Sequence, residues 1–289
     1  MKRIAILGCE NSHANSFLKF IREMDKFSDV EVVGVYSDER EAAEKLSSEF
    51  GVPVLENYTD ALGKTDGLIV TARHGDNHYK YAAPYIESGI PMFIDKPVTV
   101  SEADAIEFMR KLKDKNVRIT GGSSLKHDVF VKQLKEDAEN GVDGKTVGGY
   151  VRAPYQSKNA YGGFYFYAQH LVEMVTEIFG RFPLSVFAKQ NGKQINVIFH
   201  YENYDCVGLF CDESYKYYAA RMAELSSKGL VISATSDWFL REFEEFYSIM
   251  SGSEQTVSYE EFISPVFIMN AIERSLKSGK EEPINKIEL

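Results

Sequence analysis

The chain has 289 residues, 44% of them hydrophobic, which is enough apolar content for one large domain or two domains of ordinary size. Its formal net charge is −10 at pH 7 and it has no cluster of lysines or arginines, which argues against a nucleic-acid partner; no run reaches the roughly 20 apolar residues of a membrane-spanning helix. The three cysteines lack CxxC spacing and no apolar leader precedes Lys2, so we expect a cytoplasmic protein without a disulfide framework.

Short apolar runs and amphipathic segments alternate along the first part of the chain. Strands are predicted at residues 3–8, 30–36, 52–55, 67–71, 92–94 and 117–120, and helices at 13–25, 42–50, 58–63, 77–88 and 101–115. This alternation predicts a parallel, doubly wound sheet with right-handed crossovers. We therefore assign residues 1–121 to an α/β domain of the nucleotide-binding type.

From residue 122 onward, predicted strands follow one another directly. They lie at 147–153, 185–190, 194–201, 205–212, 215–224 and 229–233, with 283–289 as a returning last strand, and helices are predicted at 128–139, 168–179, 237–250 and 259–278. Consecutive strands joined by short turns predict an open, mainly antiparallel sheet. Residues 122–289 are assigned to a second, α+β domain.

The turn after the first strand is the first candidate for ligand binding. Backbone N–H groups at such a turn hold the pyrophosphate in dinucleotide folds, and glycines let the backbone approach closely. Here only the first glycine of a GxGxxG pattern is present, and Glu10 would repel a diphosphate unless its side chain turns away. The alternative is an ordinary strand-to-helix turn. The candidate cofactor-binding residues are Gly8, Cys9, Glu10, Asn11, Ser12 and His13.

The end of the second strand bears on the choice of cofactor. An acid there accepts hydrogen bonds from the adenosine ribose of NAD, whereas a small polar residue with a nearby arginine suits the 2′-phosphate of NADP. Ser37 takes the usual place of the acid, Asp38 follows it, and Arg40 is three residues on. NAD and NADP both remain open, and Asp38 could instead favour only the start of the next helix.

Thr71, Ala72, His74 and His78 follow the next strand of the ligand-binding edge and are further cofactor-binding candidates. His78 could equally be a structural residue at a helix start. The two histidines are separated by the glycine turn at Gly75 and do not share a helical face, so we expect no metal there.

Lys96 is the strongest catalytic candidate. It follows a short apolar strand and precedes Pro97, which stiffens the turn that orients it. Partial burial would lower its pKa toward a range useful for proton transfer. Lys96 and Asp95 are also placed among the cofactor-binding residues. The alternative is a surface ion pair between them.

A second catalytic candidate, His170, lies on a predicted helix of the second domain. Glu173 is three residues further on, shares its helical face, and could orient the imidazole or bind substrate. Tyr167 offers a flat surface of the kind that packs on sugar rings. The alternative is that His170 is simply a packed core residue.

Three elements in chain order carry a resemblance to a known family. They are Thr71, Ala72, Arg73 with His78; Asp95, Lys96, Pro97; and Gly162, Gly163 followed by Phe166, Ala168 and His170. Through these elements the sequence resembles the Gfo/Idh/MocA family of NAD(P)-dependent oxidoreductases. The resemblance extends over essentially the whole chain. The family's own elements are threonine, proline, asparagine with a spaced histidine; EKP; and GG followed by DxGxH.

The resemblance implies a Rossmann domain that binds NAD or NADP, and a second domain whose open sheet forms a homodimer or homotetramer. It implies hydride transfer to or from a sugar, cyclitol or similar polyhydroxylated small molecule, with Lys96 and His170 assisting proton transfer. The bond from Lys96 to Pro97 is typically cis in this family. Lys126 stands where relatives often have arginine, so it joins Tyr167 and Glu173 as a substrate-binding candidate.

Two departures from the family pattern leave a second function open. The aspartate usually found four residues before the histidine is Phe166, and the phosphate turn is poor in glycine. A non-catalytic NAD(P)-binding regulator on the same fold is therefore the alternative to a dehydrogenase.

Overall fold

The computed structural model describes residues 1–212, 214–233, 235 and 237–289. It divides into two compact units: the first unit is Met1–Gly122, Ser236–Tyr259 and Leu289, and the second is Ser123–Thr235 and Glu260–Glu288. The sequence placed everything after residue 121 in the second domain. Residues 237–259 instead belong to the first unit, because the apolar face of their helix completes its core.

The first unit is built on a five-stranded parallel sheet. Its strands are β1 (Lys2–Leu7), β2 (Val30–Tyr36), β3 (Gly67–Val70), β4 (Met92–Asp95) and β5 (Ile119–Gly122), and its helices are α1 (Ser12–Glu23), α2 (Arg40–Phe50), α3 (Asp76–Ala82), α4 (Glu102–Asp114) and, from later in the chain, α7 (Asp237–Met250). The strand order is β2-β1-β3-β4-β5. This confirms the predicted parallel, doubly wound sheet and places its topological switch point between β1 and β3.

Two elements predicted in the first unit do not form. Residues 52–55 make only a single bridge, Val54 to Val35, because Pro53 has no N–H to donate to a strand ladder. Residues 58–63 form turns, and the Asp60 carboxylate accepts hydrogen bonds from the N–H groups of Glu56 and Asn57. The helix predicted at 77–88 ends at residue 82 and continues as a 3-10 helix, Ala83–Ser88.

An aromatic core holds α7 against the sheet. The ring of Phe17 on α1 lies 5.2 Å from those of Phe93 on β4 and Phe243 on α7, and Phe243 lies 4.8 Å from Phe27. All four side chains are buried. The Phe17–Phe93 and Phe27–Phe243 pairs are edge-to-face, and such pairs add about 1 kcal/mol each to the stabilisation that burial itself provides. Since two of the three contacts involve Phe243, α7 is an integral part of the first unit.

The second unit contains a seven-stranded sheet. Its strands are β6 (Thr146–Tyr155), β7 (Ser185–Asn191), β8 (Gln194–His200), β9 (Asp205–Asp212), β10 (Tyr217–Ala223), β11 (Ser227–Ile232) and β12 (Glu282–Pro283), and its helices are α5 (Val129–Glu139), α6 (Tyr165–Phe179) and α8 (Tyr259–Ser278), whose first residue belongs to the first unit.

The strand order of this sheet is β11-β10-β6-β9-β8-β7-β12. Among the described residues of this sheet, only β6 and β9 pair in parallel, so the prediction of a mainly antiparallel sheet is confirmed. The last strand, predicted at 283–289, is limited to Glu282–Pro283. Of the helices in the described part of the chain, none combines the length and apolar character needed to cross a bilayer.

Candidate active site

The turns that follow β1 and β3 are packed directly against each other at the switch point. Gly8 has a φ of +73°, and a Cβ placed on it would lie 2.4 Å from the Cα of Ala72. The Thr71 hydroxyl donates to the carbonyl of Gly8 at 3.0 Å, and the Asn11 side chain accepts from the N–H of Ser12 to cap α1. The sequence candidates Gly8, Asn11, Ser12, Thr71 and Ala72 are therefore brought together at one sheet edge.

Replacing Gly8 with alanine is expected to lower the free energy of unfolding by about 2–4 kcal/mol, the sum of left-handed strain and a backbone clash. Gly51 provides a matched control because it has the same φ of +73°, while a Cβ added to it would meet nothing within 4 Å. Gly51→Ala should cost only about 1 kcal/mol. Urea unfolding of both variants checks this, and equal losses would show that packing at the switch point is unimportant.

Glu10 turns away from the first turn of α1 and spans the switch point. One carboxylate oxygen accepts from the Ser37 hydroxyl at 2.6 Å, just past the end of β2, and the other accepts from the N–H of Arg73 at 2.9 Å, past the end of β3. Its neighbour Cys9 is buried, and burial raises the pKa of the thiol to about 12. Cys9 is thus an inert packing residue, whereas Glu10 is fixed where ligands bind in an open α/β sheet.

The charged residues after β2 have partners within the protein. Asp38 accepts from the Tyr36 hydroxyl at 2.6 Å and lies 3.6 Å from the Lys80 ammonium. The Arg40 guanidinium donates to Glu44 on its own helix and to Glu56. These contacts direct Arg40 away from the role of phosphate ligand for which the sequence made it a candidate.

The two histidines after β3 have different environments. His78 is fully buried, with its ring nitrogens 2.6 Å and 2.8 Å from the carbonyl oxygens of Pro97 and Ala72, so it joins the turns after β3 and β4 as a structural residue. Burial lowers its pKa. His74 is partly exposed and accepts from the N–H of Asp76. Among the described residues, no three side chains of ligand type are grouped to hold a metal.

Lys96 is buried at the carboxyl end of β4, with only 4% of its surface exposed. The peptide bond from Lys96 to Pro97 is cis, as the family resemblance implies. Asp95, fully buried, accepts from the N–H of Lys96 at 2.7 Å and from the side-chain amide of Asn11 at 2.7 Å. Burial lowers the pKa of Lys96, which the charge of Arg73 reinforces and those of Asp95 and Glu242 oppose. Such an ammonium is suited to give up a proton.

His13 links this lysine region to α7. Its Nδ1 lies 3.2 Å from the Asp95 carboxylate and its Nε2 lies 3.1 Å from the carboxylate of Glu242, and all three side chains are buried. Burial alone would lower the pKa of His13, but the two carboxylates outweigh it and raise the pKa above its usual value. The sequence proposed His13 as a cofactor ligand; the structure instead gives it two carboxylate partners inside the first unit.

The second unit contains the other catalytic candidate. Nδ1 of His170, on α6, lies 2.6 Å from the hydroxyl of Ser123, and both side chains are buried. The ring centroids of Tyr167 and Tyr217 lie 5.8 Å and 6.1 Å from the imidazole. Lys126 is also buried, in the 3-10 helix Ser124–His127 that packs against α6. His170 is thus oriented by a hydroxyl in an aromatic setting.

Glu173 does not orient His170 as the sequence suggested. Its carboxylate accepts from the amide of Gln169 at 3.1 Å and from the guanidinium of Arg181 at 3.2 Å, both within the second unit. A buried carboxylate requires such partners, so these contacts explain its presence without a substrate.

The first part of the chain matches a known protein family. Residues 2–123 match the Gfo/Idh/MocA family, described as an oxidoreductase family with an NAD-binding Rossmann fold. The match covers 122 of the chain's 289 residues. The uncharacterized oxidoreductase YhhX of Escherichia coli (strain K12) is 28% identical over 122 residues, which cover 39% of this chain and only 35% of that protein's length.

Solved structures share the fold of the whole chain. A myo-inositol dehydrogenase from Corynebacterium glutamicum ATCC 13032 has a TM-score of 0.85 at 14% identity, covering 99% of both chains. The scyllo-inositol dehydrogenase of Lactobacillus casei, solved with NAD(H) and scyllo-inositol, has a TM-score of 0.84 at 13% identity, covering 98% of this chain and 99% of that one. The Rossmann sheet followed by an α+β domain is therefore confirmed.

The residues of the first unit fit the NAD-binding role of the Gfo/Idh/MocA family. The Gly8 turn and the start of α1 follow β1 at the switch point, and the buried Lys96 follows β4, the neighbour of β3, at the same edge of the sheet. Open α/β sheets bind their ligands there, and a helix start attracts the negative charge of a pyrophosphate.

The departure from the Gfo/Idh/MocA histidine element has a structural counterpart. Phe166 replaces the usual aspartate and packs its ring 5.6 Å from Tyr161 and 4.8 Å from Tyr167. Ser123, which was not among the residues predicted from the sequence, contacts His170. Its place directly after Gly122, the last residue of β5, was the signal that could have found it, because strand ends bear ligand-side groups.

Ser123→Ala is expected to lower kcat/KM about threefold to tenfold, because it removes one hydrogen bond worth about 1 kcal/mol. The substitution should also alter the pH profile of kcat/KM. A serine hydroxyl is uncharged and can both donate and accept a hydrogen bond, so it can stay bonded to the imidazole in either protonation state. Ser124→Ala is the neighbouring control. An unchanged pH profile in Ser123→Ala would contradict an orienting role.

Proposed function

We propose that this protein is an NAD(P)-dependent oxidoreductase that transfers hydride to or from a sugar, cyclitol or similar polyhydroxylated small molecule. The observation that carries the proposal is the buried Lys96, with its lowered pKa, beside the fully buried Asp95 at the ligand end of a Rossmann sheet. The inositol dehydrogenases with the same fold support the substrate class by analogy.

The bound nicotinamide would accept or supply the hydride. Lys96 is proposed to hold the substrate hydroxyl and to take or return its proton, since its lowered pKa reduces the cost of that transfer. His170, oriented by Ser123, is proposed as the second proton-transfer group. Lys126 and Tyr167 are proposed to contact the substrate, through a buried ammonium and an aromatic face.

Titration of NADH and NADPH into the purified protein, followed by nucleotide fluorescence, tests cofactor binding. Inositols and sugars are then screened for substrate-dependent formation of reduced cofactor. We expect saturable binding of at least one nucleotide and turnover of at least one polyol. If neither nucleotide binds, the proposed function is wrong.

A non-catalytic NAD(P)-binding regulator is the second candidate. Phe166 in place of the usual aspartate and the Glu10 carboxylate in the nucleotide turn favour it. Nucleotide binding without turnover of any substrate in the screen would support this candidate. Homo-oligomerisation and a cytoplasmic location stay predictions from the sequence.

A further inference from the structure

The carboxylate beside the end of β2 comes from an unusual place in the chain. In NAD-binding folds an acidic residue at the end of the second strand accepts hydrogen bonds from the adenosine ribose. Here that position is Ser37, and its hydroxyl donates to the carboxylate of Glu10 at 2.6 Å. The carboxylate that contacts Ser37 therefore comes from the turn after β1. We propose that Glu10 is the ribose-recognising residue and makes the protein select NAD(H) over NADP(H), an inference that rests on the proposed cofactor binding.

Glu10 is held in a defined position and retains the capacity to accept a ligand. Ser37 and the N–H of Arg73 each donate to a different carboxylate oxygen, at 2.6 Å and 2.9 Å. A carboxylate oxygen has two acceptor positions, so each one can take a further hydrogen bond from a ribose hydroxyl. Glu10 is half-buried, so its charge is accessible to a ligand and only partly screened by solvent.

The surrounding charges disfavour a 2′-phosphate. The carboxylates of Asp38 and Glu39 lie on the same turn after β2. Each nearby cation faces a carboxylate, as the ion pairs Lys80 to Asp38 (3.6 Å), Arg73 to Glu39 (3.9 Å) and Arg40 to Glu44 and Glu56 (2.8 Å and 2.6 Å) show. A phosphate would have to displace these partners and approach Glu10, whereas ribose hydroxyls would donate to it.

The test compares the dissociation constants of NADH and NADPH for the wild type and Glu10→Gln. The amide keeps the size of the side chain but removes its charge. We expect the wild type to bind NADH about tenfold or more tightly than NADPH, and Glu10→Gln to lose most of that ratio through weaker NADH binding, since hydrogen bonds to a charged acceptor are worth about 1.5–3 kcal/mol. Glu44→Gln, a carboxylate change on the adjoining helix, should leave the ratio unchanged.

Each result of this test either supports or contradicts the proposed role of Glu10. A wild type that prefers NADPH overturns it, as does a Glu10→Gln variant whose affinity for both nucleotides changes by the same factor, which would mean that the carboxylate only obstructs the turn. Loss of the ratio in Glu10→Gln with an unchanged thermal unfolding midpoint supports it. If the wild type binds neither nucleotide, the proposed function itself fails, and this result is distinct from binding without discrimination.

Discussion

Replacing Lys96 with methionine is expected to reduce kcat about 10²-fold to 10⁴-fold, while the dissociation constant of the nucleotide changes little. The range is that of a general acid or base positioned at the reacting group. Methionine has a similar length and suits a buried position, so it removes the ammonium without opening a large cavity. Steady-state kinetics with the best polyol of the screen, together with nucleotide titration, measure the two effects separately.

Two further lysine variants sharpen this test. Lys115→Met is the matched control, because Lys115 is an exposed lysine of the first unit that pairs with Glu87. Lys96→Arg keeps the positive charge but not the ability to release a proton, so it should be nearly as inactive as Lys96→Met. Full activity in Lys96→Arg would show that the charge matters and proton transfer does not.

Replacing Glu242 with glutamine is expected to lower the free energy of unfolding by about 3 kcal/mol. The carboxylate is fully buried against Nε2 of His13, and breaking a buried ion pair leaves a charge without compensation. Glu244→Gln on the same helix is the control, since Glu244 is partly exposed and pairs with Lys26 and Arg241. It should cost about 1 kcal/mol or less. Urea unfolding at fixed pH gives both values.

The same pair predicts a pH dependence of stability. The pKa of His13 is raised in the folded protein above its usual value of 6.5, so folding favours the protonated imidazole. Its contribution is full below about pH 6.5 and is lost as the pH rises through the folded-state pKa. The difference in unfolding free energy between wild type and Glu242→Gln should therefore shrink as the pH increases above 6.5. A difference that is constant with pH would contradict a charged His13.

The sequence predicted the sheet of the first unit because its signals are local. A buried parallel strand is a short apolar run, and the lysine at the end of β4 can be located from that run and Pro97 alone. The failure at 52–55 also has a local cause, the missing N–H at Pro53.

The ion-pair partner of His13 could not be predicted in the same way. Glu242 is far away along the chain on an amphipathic helix, where an acidic residue is normally solvent-exposed. Ser123 and the orientation of Glu10 likewise depend on which loops the fold brings together. These contacts are tertiary, and no periodicity in the sequence marks them.

The placement of α7 makes the nucleotide-binding unit discontinuous along the chain. A fragment that ends at Gly122 would lack Phe243, which packs on Phe17 and Phe27. It would also lack Glu242, so that His13 would keep Asp95 but lose its second carboxylate partner. During synthesis, this unit can reach its final packing only after the ribosome has produced strands β6 to β11 of the second unit and then α7. The segment between Gly122 and α7 is therefore an insertion that must be synthesised before its host domain can be completed.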